Sequence, residues 1–437
     1  MLRTGKLLVE SLADTNRIVR NMKRTAAYLG IPEEKLHINV SFTMLMVNVS
    51  DGDYSFTKFQ RIEGHGVNMT AISEVSKLSW RAIENDYTLD QYEEELEKIR
   101  TRKRNYTPWQ VAIGAGFACG GFCIQFGCDW MAFLYASIAA IIGMRVRAKC
   151  NESGLNHYMG IAISAFIATM LAWASTLLPA EWTSTPWHPL LACALFIVPG
   201  VPLINFVDDM LDNYIQVGIV RAVNTLLMVS AMAFGIAFAV KLCSIGDFFP
   251  TISMVPHHNY LEYAIAAAIS AMGFSMIFNI QRRLLWVVAI GGIIAVCTRN
   301  FVNLGPSTNN IGLDMGLVIG SFSGSVLVSL IAIKAVHWFH VPNHVLTIPS
   351  VIPMIPGVLM YRMLFGLINM NVQSIDQVTP LMKAIESGVN SGLVIMCIAL
   401  GVAIPNIFGR KYIASSKNKC LAEILKERKA RGKFVEW

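Results

Sequence analysis

"FIVPGVPLINFVDDMLDNYIQVGIVRAV", residues Phe196 to Val223, is the stretch on which the reading of the chain turns. Pro199, Gly200 and Pro202 interrupt an apolar run, and Asp208, Asp209 and Asp212 follow it at once. Each proline lacks an amide hydrogen and clashes with the preceding turn, while glycine removes side-chain bulk, so a helix here is expected to kink or unwind. Backbone groups freed in this way are tolerated in lipid only when they line a watery cavity or are buried in protein.

Composition says which solvent applies. The chain has 437 residues, 54% hydrophobic and 15% charged, with a mean hydropathy of +0.49, which is too apolar for a soluble core. Apolar runs of about 18 residues or more recur from Pro108 to Phe408, continuous rather than alternating, so they predict membrane helices and not a barrel. About ten spans result: Pro108–Gln125, Trp130–Val146, His157–Leu177, His188–Val207, Val217–Leu242, Tyr260–Ile280, Leu284–Cys297, Ile311–Ala335, His344–Leu367 and Ile385–Phe408, the seventh being short. Arg100 to Arg104, Arg145, Arg147 and Lys149, Arg282 and Arg283, Lys334, and Arg410 with Lys411 all fall on one side in this register. The excess of bases marks the cytoplasmic face, which would hold both termini.

Met1 to Asn105 is mixed and charged and reads as a small soluble α+β domain. A helix should stop at Gly30 and Pro32; "LHINVSFTMLMVNV" and "YSFTKFQRI" predict two strands joined at "SDGD"; helices follow around Val67 to Glu84 and Leu89 to Arg104. No apolar h-region of a signal peptide precedes them, so the domain should stay on the side where it is made. The tail after Gly409 holds nine Lys and Arg against three Glu, a net of +6 beside +7 for the whole chain. It suits an anchor on anionic lipid better than nucleic acid. The boundaries expected are therefore 1–106 for the soluble domain, 107–245 and 246–409 for two five-helix membrane repeats, and 410–437 for the tail.

The repeat rests on an echo. "FIVPGVPLINFVDDML" in span four has a counterpart in "VIPMIPGVLMYRMLFG" in span nine, and a long apolar helix follows each. Five spans per half make the second half enter the membrane from the opposite face, an inverted repeat of the kind that places transporter sites at paired broken helices. Pro199, Gly200, Pro202, Pro356 and Gly357 are thus candidate substrate-binding positions, with Asn205 and Tyr361 as hydrogen-bonding groups and the amides at the break for a carboxylate. Arg221 either pairs with an aspartate or holds a substrate carboxylate. One of Asp208, Asp209 or Asp212 is the candidate proton carrier, since partial burial raises a carboxyl pKa; at least one, and by preference two, of the three are expected to be ordinary solvated loop acids.

Other polar groups carry less. Arg299, Asn300, Asn303, Asn309, Asn310 and Asp314 surround a Gly-Pro turn that reads as a loop or as a gate segment. Gly312, Gly316, Gly320 and Gly324 recur every fourth residue and predict close helix contact along span eight. His337, His340 and His344 have ligand-like spacing, but Pro342 interrupts them and no carboxylate or thiol stands beside them in sequence. Cys119, Cys123 and Cys128 read as small packing residues, so neither a metal nor another cofactor is expected.

"LLVESLADTNRIVRNMKRTAAYLGI", the strand pair, "VPGVPLINFVDDMLDNYIQVGIVRAVNTLL" and "IPGVLMYRML" together resemble the threonine/serine exporter family over nearly the whole chain. That resemblance implies an amino-terminal cytoplasmic domain joined to about ten membrane helices, and export of threonine and serine driven by the proton-motive force. It also implies a fused form of halves that occur elsewhere as separate proteins, some associated with dicarboxylate export. The family's "ESGA" is "ESLA" here, a departure within the soluble domain. The expectation is a multi-pass bacterial inner-membrane exporter of small amino acids, not an enzyme, whose partners are its substrate, protons and the bilayer; a homo-oligomer is compatible with it. A C4 dicarboxylate such as succinate is the alternative substrate. A non-transporting scaffold and an intramembrane hydrolase, for which Asp314 would be the distant second carboxylate, are remote alternatives.

Overall fold

The computed structural model describes residues 1–50, 53–177, 179, 181–243, 258–306, 311–368 and 378–430. Two helices open the chain, α1 (Leu2–Glu10) and α2 (Thr15–Tyr28), followed by strands β1 (Leu36–Val40), β2 (Met44–Ser50) and β3 (Ser55–Arg61), then α3 (Met69–Glu84) and α4 (Leu89–Thr101). The strands form one antiparallel sheet in the order β1-β2-β3. One strand was expected over residues 36–49; instead it folds back at Ser41, whose hydroxyl accepts from the Met44 amide at 3.0 Å, setting Val40 opposite Leu45. Leu45 is buried with Leu8, Ile18, Met22, Val75 and Leu78, so the sheet, α1, α2 and α3 share one apolar core.

Among the described residues twelve further helices follow. The first half holds α5 (Pro108–Gln125), α6 (Trp130–Glu152), α7 (His157–Trp173), α8 (Pro189–Ala192), α9 (Gly200–Leu211) and α10 (Ile215–Leu242). The second holds α11 (Tyr260–Ile277), α12 (Leu285–Asn303), α13 (Leu317–Phe339), α14 (Asn343–Val351), α15 (Gly357–Ile368) and α16 (Val378–Ala430). Among the described residues seven segments are long and apolar enough to cross a membrane, Trp130–Glu152, His157–Leu177, Ile215–Leu242, Tyr260–Ile277, Arg282–Asn303, Leu317–Val336 and Leu381–Gly409; an eighth is the pair Asn343–Met354 and Gly357–Leu364, bent by 63°. The seventh predicted span is therefore full length, because a turn over Arg282–Leu284 leads into α12. Span eight is shorter than expected at its start: α13 begins after Gly316, so of the four periodic glycines Gly320 and Gly324 lie within it, against the backbone of Arg299 and Ala295.

α5 carries Gly114, Gly116, Gly120 and Gly121, and those glycines set its packing. A Cβ at Gly114 would lie 2.9 Å from the Gly273 carbonyl and one at Gly121 2.5 Å from that of Ala266. Contact points advance along α5 as they retreat along α11, so the two helices run antiparallel at backbone distance. In the first half α5 packs on α6, α6 on α7, α7 on α10 and α9 on α10; in the second α11 packs on α12, α12 on α13, α13 on α16 and α15 on α16.

The amino-terminal elements are tied to both halves. Beyond the contacts at α9 and α10 described below, the Met69 amide donates to the Phe278 carbonyl at 3.0 Å. The Asn105 amide donates to Asn279 Oδ1 at 2.8 Å, and Asn279 Nδ2 to Asn68 Oδ1 at 2.8 Å.

Candidate functional site

The chain between α8 and α9 breaks as its prolines require. Pro199 takes φ −78° and ψ 64°, and the Gly200 amide donates back to the Val198 carbonyl at 2.8 Å, an inverse γ-turn. The same bond recurs at the other break, Gly357 amide to Ile355 carbonyl at 2.9 Å, and a 12-residue helix starts at each glycine. The breaks cross. A Cβ on Gly200 would stand 2.7 Å from Ile352 and 3.0 Å from Ile355; one on Gly357 would stand 2.6 Å from Leu195 and 3.1 Å from Val198. Residues five and two positions before each glycine thus pack on the other glycine. This crossing is dry and apolar: Leu195, Val198, Val201, Ile352 and Ile355 are all buried. The supply of open amides at the first break is smaller than expected, since that of Gly200 is used and Pro202 has none. Tyr361 lies on α15, and its side chain is outside the described residues.

Charge collects one to three turns beyond the first break. On α9 the spacing of Asn205, Asp208, Asp209 and Asp212 puts all four on one face. Asn213, at φ 68°, turns the chain, and Gly218 lets α10 return against Phe206 and Met210, which brings Arg221 beside Asp209 with Nε 3.2 Å from Oδ2. Asp208, Asp209 and Arg221 are 2%, 1% and 2% exposed. The expectation that two of the three acids would be solvated loop charges is corrected: Asp208 and Asp209 are helical and buried, and Asp212, the residue that ends α9, alone is partly exposed.

What buries them is the turn between α1 and α2. Asn205 Nδ2 donates to the Leu12 carbonyl at 2.9 Å, Arg221 Nη2 to the Ala13 carbonyl at 2.7 Å, and Asn16 Nδ2 to Asp212 Oδ2 at 2.6 Å. The Thr15 amide donates to Asp209 Oδ1 at 2.8 Å. Leu12 sits at φ 59°, a left-handed conformation that costs a leucine roughly 1–2 kcal/mol and aims the following carbonyl and amide at α9 and α10. Asp14 caps α2, accepting from the Arg17 amide at 2.8 Å and from Arg17 Nε at 2.9 Å. Burial alone would push the Asp14 carboxyl up, but Arg17, His344 and Arg20 outweigh it and hold the group well below the usual carboxylate range.

His344, in the first turn of α14, completes the cluster, with Nδ1 3.5 Å from Asp14 Oδ2 and Nε2 3.7 Å from Asp208 Oδ2. The sequence reading, which found no carboxylate beside His344, missed this because its neighbours come from the other half and from the amino-terminal turn. Asp14, Arg17 and Thr15 were missed for the same reason; the Asp-x-x-Arg at the start of a helix was the available signal. Asp14, Asp208 and His344 each bring one donor atom within 4.8 Å of the others. Zinc–ligand distances of about 2.0–2.3 Å place tetrahedral ligands about 3.5 Å apart, and here the imidazole turns a different nitrogen to each acid. The shortest approaches, 3.5 Å and 3.7 Å from different ring nitrogens to the two acids, let the imidazole bridge them. Asp314, the second carboxylate a hydrolase would need, is exposed.

Two family profiles cover the chain: "Putative threonine/serine exporter" matches residues 1–243 and "Threonine/Serine exporter, ThrE" matches residues 263–408. The chain belongs to the threonine/serine exporter family. It is a fused, two-part form of this family of membrane transporters. It is 25% identical over 235 residues, 54% of this chain and 89% of the relative, to the "Probable succinate transporter subunit YjjP" of Klebsiella aerogenes. To the protein of that name in Escherichia coli it is 25% identical over 241 residues, 55% of this chain and 92% of the relative. A "Probable threonine/serine exporter" of Mycobacterium tuberculosis is 19% identical over 372 residues, 84% of this chain and 69% of that one. No solved structure matches. The buried cluster draws Asp14, Asp208, Asp209 and Arg221 from the first family segment and His344 from the second.

Proposed function

We propose that this chain is a proton-coupled exporter of small amino acids such as threonine and serine, in a bacterial inner membrane with both termini cytoplasmic. The observation that carries the reading is the crossing of two alike broken helices with a buried charged cluster further along one of them, in a chain of an exporter family. Ten crossings in two inverted repeats, 107–245 and 246–409, agree with the matching helix contacts of the halves and with the antiparallel run of α5 and α11. Residues 1–106 form a cytoplasmic domain in this reading, and 410–437 a basic tail on the lipid surface.

The conformation described is closed at the crossing. Pro199, Gly200, Pro202, Pro356 and Gly357 meet substrate when α9 and α15 part, with Tyr361 beside them. Asn205 and Arg221 take up the substrate's carboxylate once the α1–α2 turn withdraws, because both then lose the backbone carbonyls that they now hold. One of Asp208, Asp209 or Asp212 remains the carboxylate through which a proton is exchanged for substrate. Succinate is the second reading, favoured by the names of two relatives that each match about half of the chain.

Reconstituted protein in liposomes, given labelled serine, threonine and succinate with and without an imposed pH gradient, tests this. Gradient-stimulated movement of serine or threonine is expected. Movement of succinate alone would transfer the chain to the second reading, and movement insensitive to the gradient would remove proton coupling.

A further inference from the structure

His344 touches three separate parts of the protein with one ring. Nδ1 faces Asp14 of the amino-terminal turn, Nε2 faces Asp208 of α9, and Asn406 of α16 places its amide nitrogen 3.3 Å from Nε2. The surrounding charges come from every element packed there. The amino-terminal segment supplies Asp14 with Arg17 and Arg20 beside it, α9 supplies Asp208, Asp209 and Asp212, and α10 supplies Arg221. α14 adds Asn343, and α16 only the neutral Asn406. His65, at the edge of the cluster, is kept neutral by burial and by the Arg221 charge, which lower its pKa. Four carboxylates therefore stand against three guanidinium groups. The cluster carries one net negative charge when the His344 ring is neutral and none when it is protonated.

We propose that His344 is a proton-binding site that locks the α1–α2 turn onto the membrane helices. A proton on the ring makes both nitrogens donors: Nδ1 donates to Asp14, and Nε2, which can then no longer accept from the Asn406 amide, donates to Asp208 instead, drawing the two carboxylates together across the junction. When the proton leaves to the adjoining aqueous phase, the ring can donate to only one of them. Two like charges then face each other with little water between them, and the turn loosens from α9. The sign follows: the lock is complete at acidic pH and is lost as pH rises through the range in which the imidazole titrates. For transport, release of the turn frees Asn205 and Arg221 from the Leu12 and Ala13 carbonyls, so proton release and opening of the path become one event. This deepens the transport reading and rests on it only for that last step, since proton binding and docking need no substrate.

Hydrogen exchange of the segment Ala13–Arg17, whose Thr15 and Arg17 amides are bonded to Asp209 and Asp14, measures the lock directly in the full chain in nanodiscs. After correction for the intrinsic pH dependence of exchange, protection should fall roughly tenfold between about pH 5.5 and about pH 8. His344→Gln should remove that dependence, His344→Lys should keep the segment protected throughout, and Asp208→Asn should flatten the profile by an independent route in case His344→Gln folds poorly. His65→Gln should leave the profile as it is. An unchanged pH profile in folded His344→Gln or Asp208→Asn, or a profile abolished by His65→Gln, overturns the proposal. So does protection that responds to added zinc or to chelator at fixed pH, which would make the cluster a metal site. Absence of serine or threonine movement in the liposome assay would strike the transport reading and leave this result standing.

Discussion

Arg221 and Asp209 are the most enclosed ion pair in the molecule's described residues, with side chains 3% and 1% exposed. Desolvating two charges cancels much of their attraction, so the pair adds little net stability, but leaving one partner alone is expensive, about 3–5 kcal/mol. Arg221→Met should therefore lower the melting temperature in detergent strongly and Asp209→Asn less, because the asparagine still accepts from Thr15. The double variant should recover much of the loss. Additive losses in the double-variant cycle would show that the two side chains are not coupled. Asp14 gives a second expectation, with the opposite pH logic from His344. Its carboxyl is held below the usual range by charges that outweigh burial, so its contribution is present above the carboxylate range and disappears only as pH falls below it. Asp14→Ala, which also removes a helix cap, should cost at least about 1 kcal/mol, and more at pH 6 than at pH 8, because the proton on His344 that Asp14 faces is lost over that interval. An equal cost at the two values would mean that Asp14 does not share the His344 proton.

At the scale of elements, the breaks and seven or eight of the ten expected spans were legible, and their partners were not. Proline chemistry is local, so the start of α9 at Gly200 and of α15 at Gly357 could be read directly. The glycines of α5 are local too, yet what they approach lies on α11, and no pattern in either stretch states the pairing. Asp208 and Asp209 were read as end-of-helix charges because the turn that buries them lies 194 residues earlier for the Thr15–Asp209 bond. The fold-back at Ser41 escaped notice because Ser-Phe-Thr carries none of the usual glycine or asparagine turn signals. The α5–α11 contact supplies a test at this scale. A Cβ at Gly273 would collide with the Gly114 carbonyl and come within 2.6 Å of the Ala118 amide, backbone atoms that cannot step aside, whereas one at Gly392 of α16 meets nothing within 4 Å. Gly273→Ala should cost about 1–3 kcal/mol or more, and Gly392→Ala should be neutral or stabilising by up to about 1 kcal/mol. Thermal unfolding of the two variants side by side decides it; equal behaviour would mean that the two helices do not approach as described.

For the whole molecule, the halves are held together by contacts that are intimate but noncovalent apart from the chain running from Cys243 to His258. α5 lies on α11, the two breaks interlock, α9 and α10 touch α16 and α15, and the amino-terminal elements bond to α9, α10 and the end of α11. Surfaces this apolar and this closely fitted do not need a peptide link to find each other in a bilayer, where association is driven by packing and by interhelical hydrogen bonds. The family match also falls in two segments, 1–243 and 263–408. Expressed from two genes as residues 1–243 and 258–437, the protein should assemble, co-purify in equal amounts through a tag on one piece, and move the same substrate as the intact chain. Each piece alone should be unstable, because it exposes the glycine face of α5 or of α11 and, in the first piece, leaves Asp14 and Asp208 without His344 between them. The same pair of pieces carrying Gly273→Ala should fail to co-purify. Recovery of the two pieces separately, each folded, would mean that the interlocked breaks contribute nothing to assembly and that the covalent link alone keeps the halves in register.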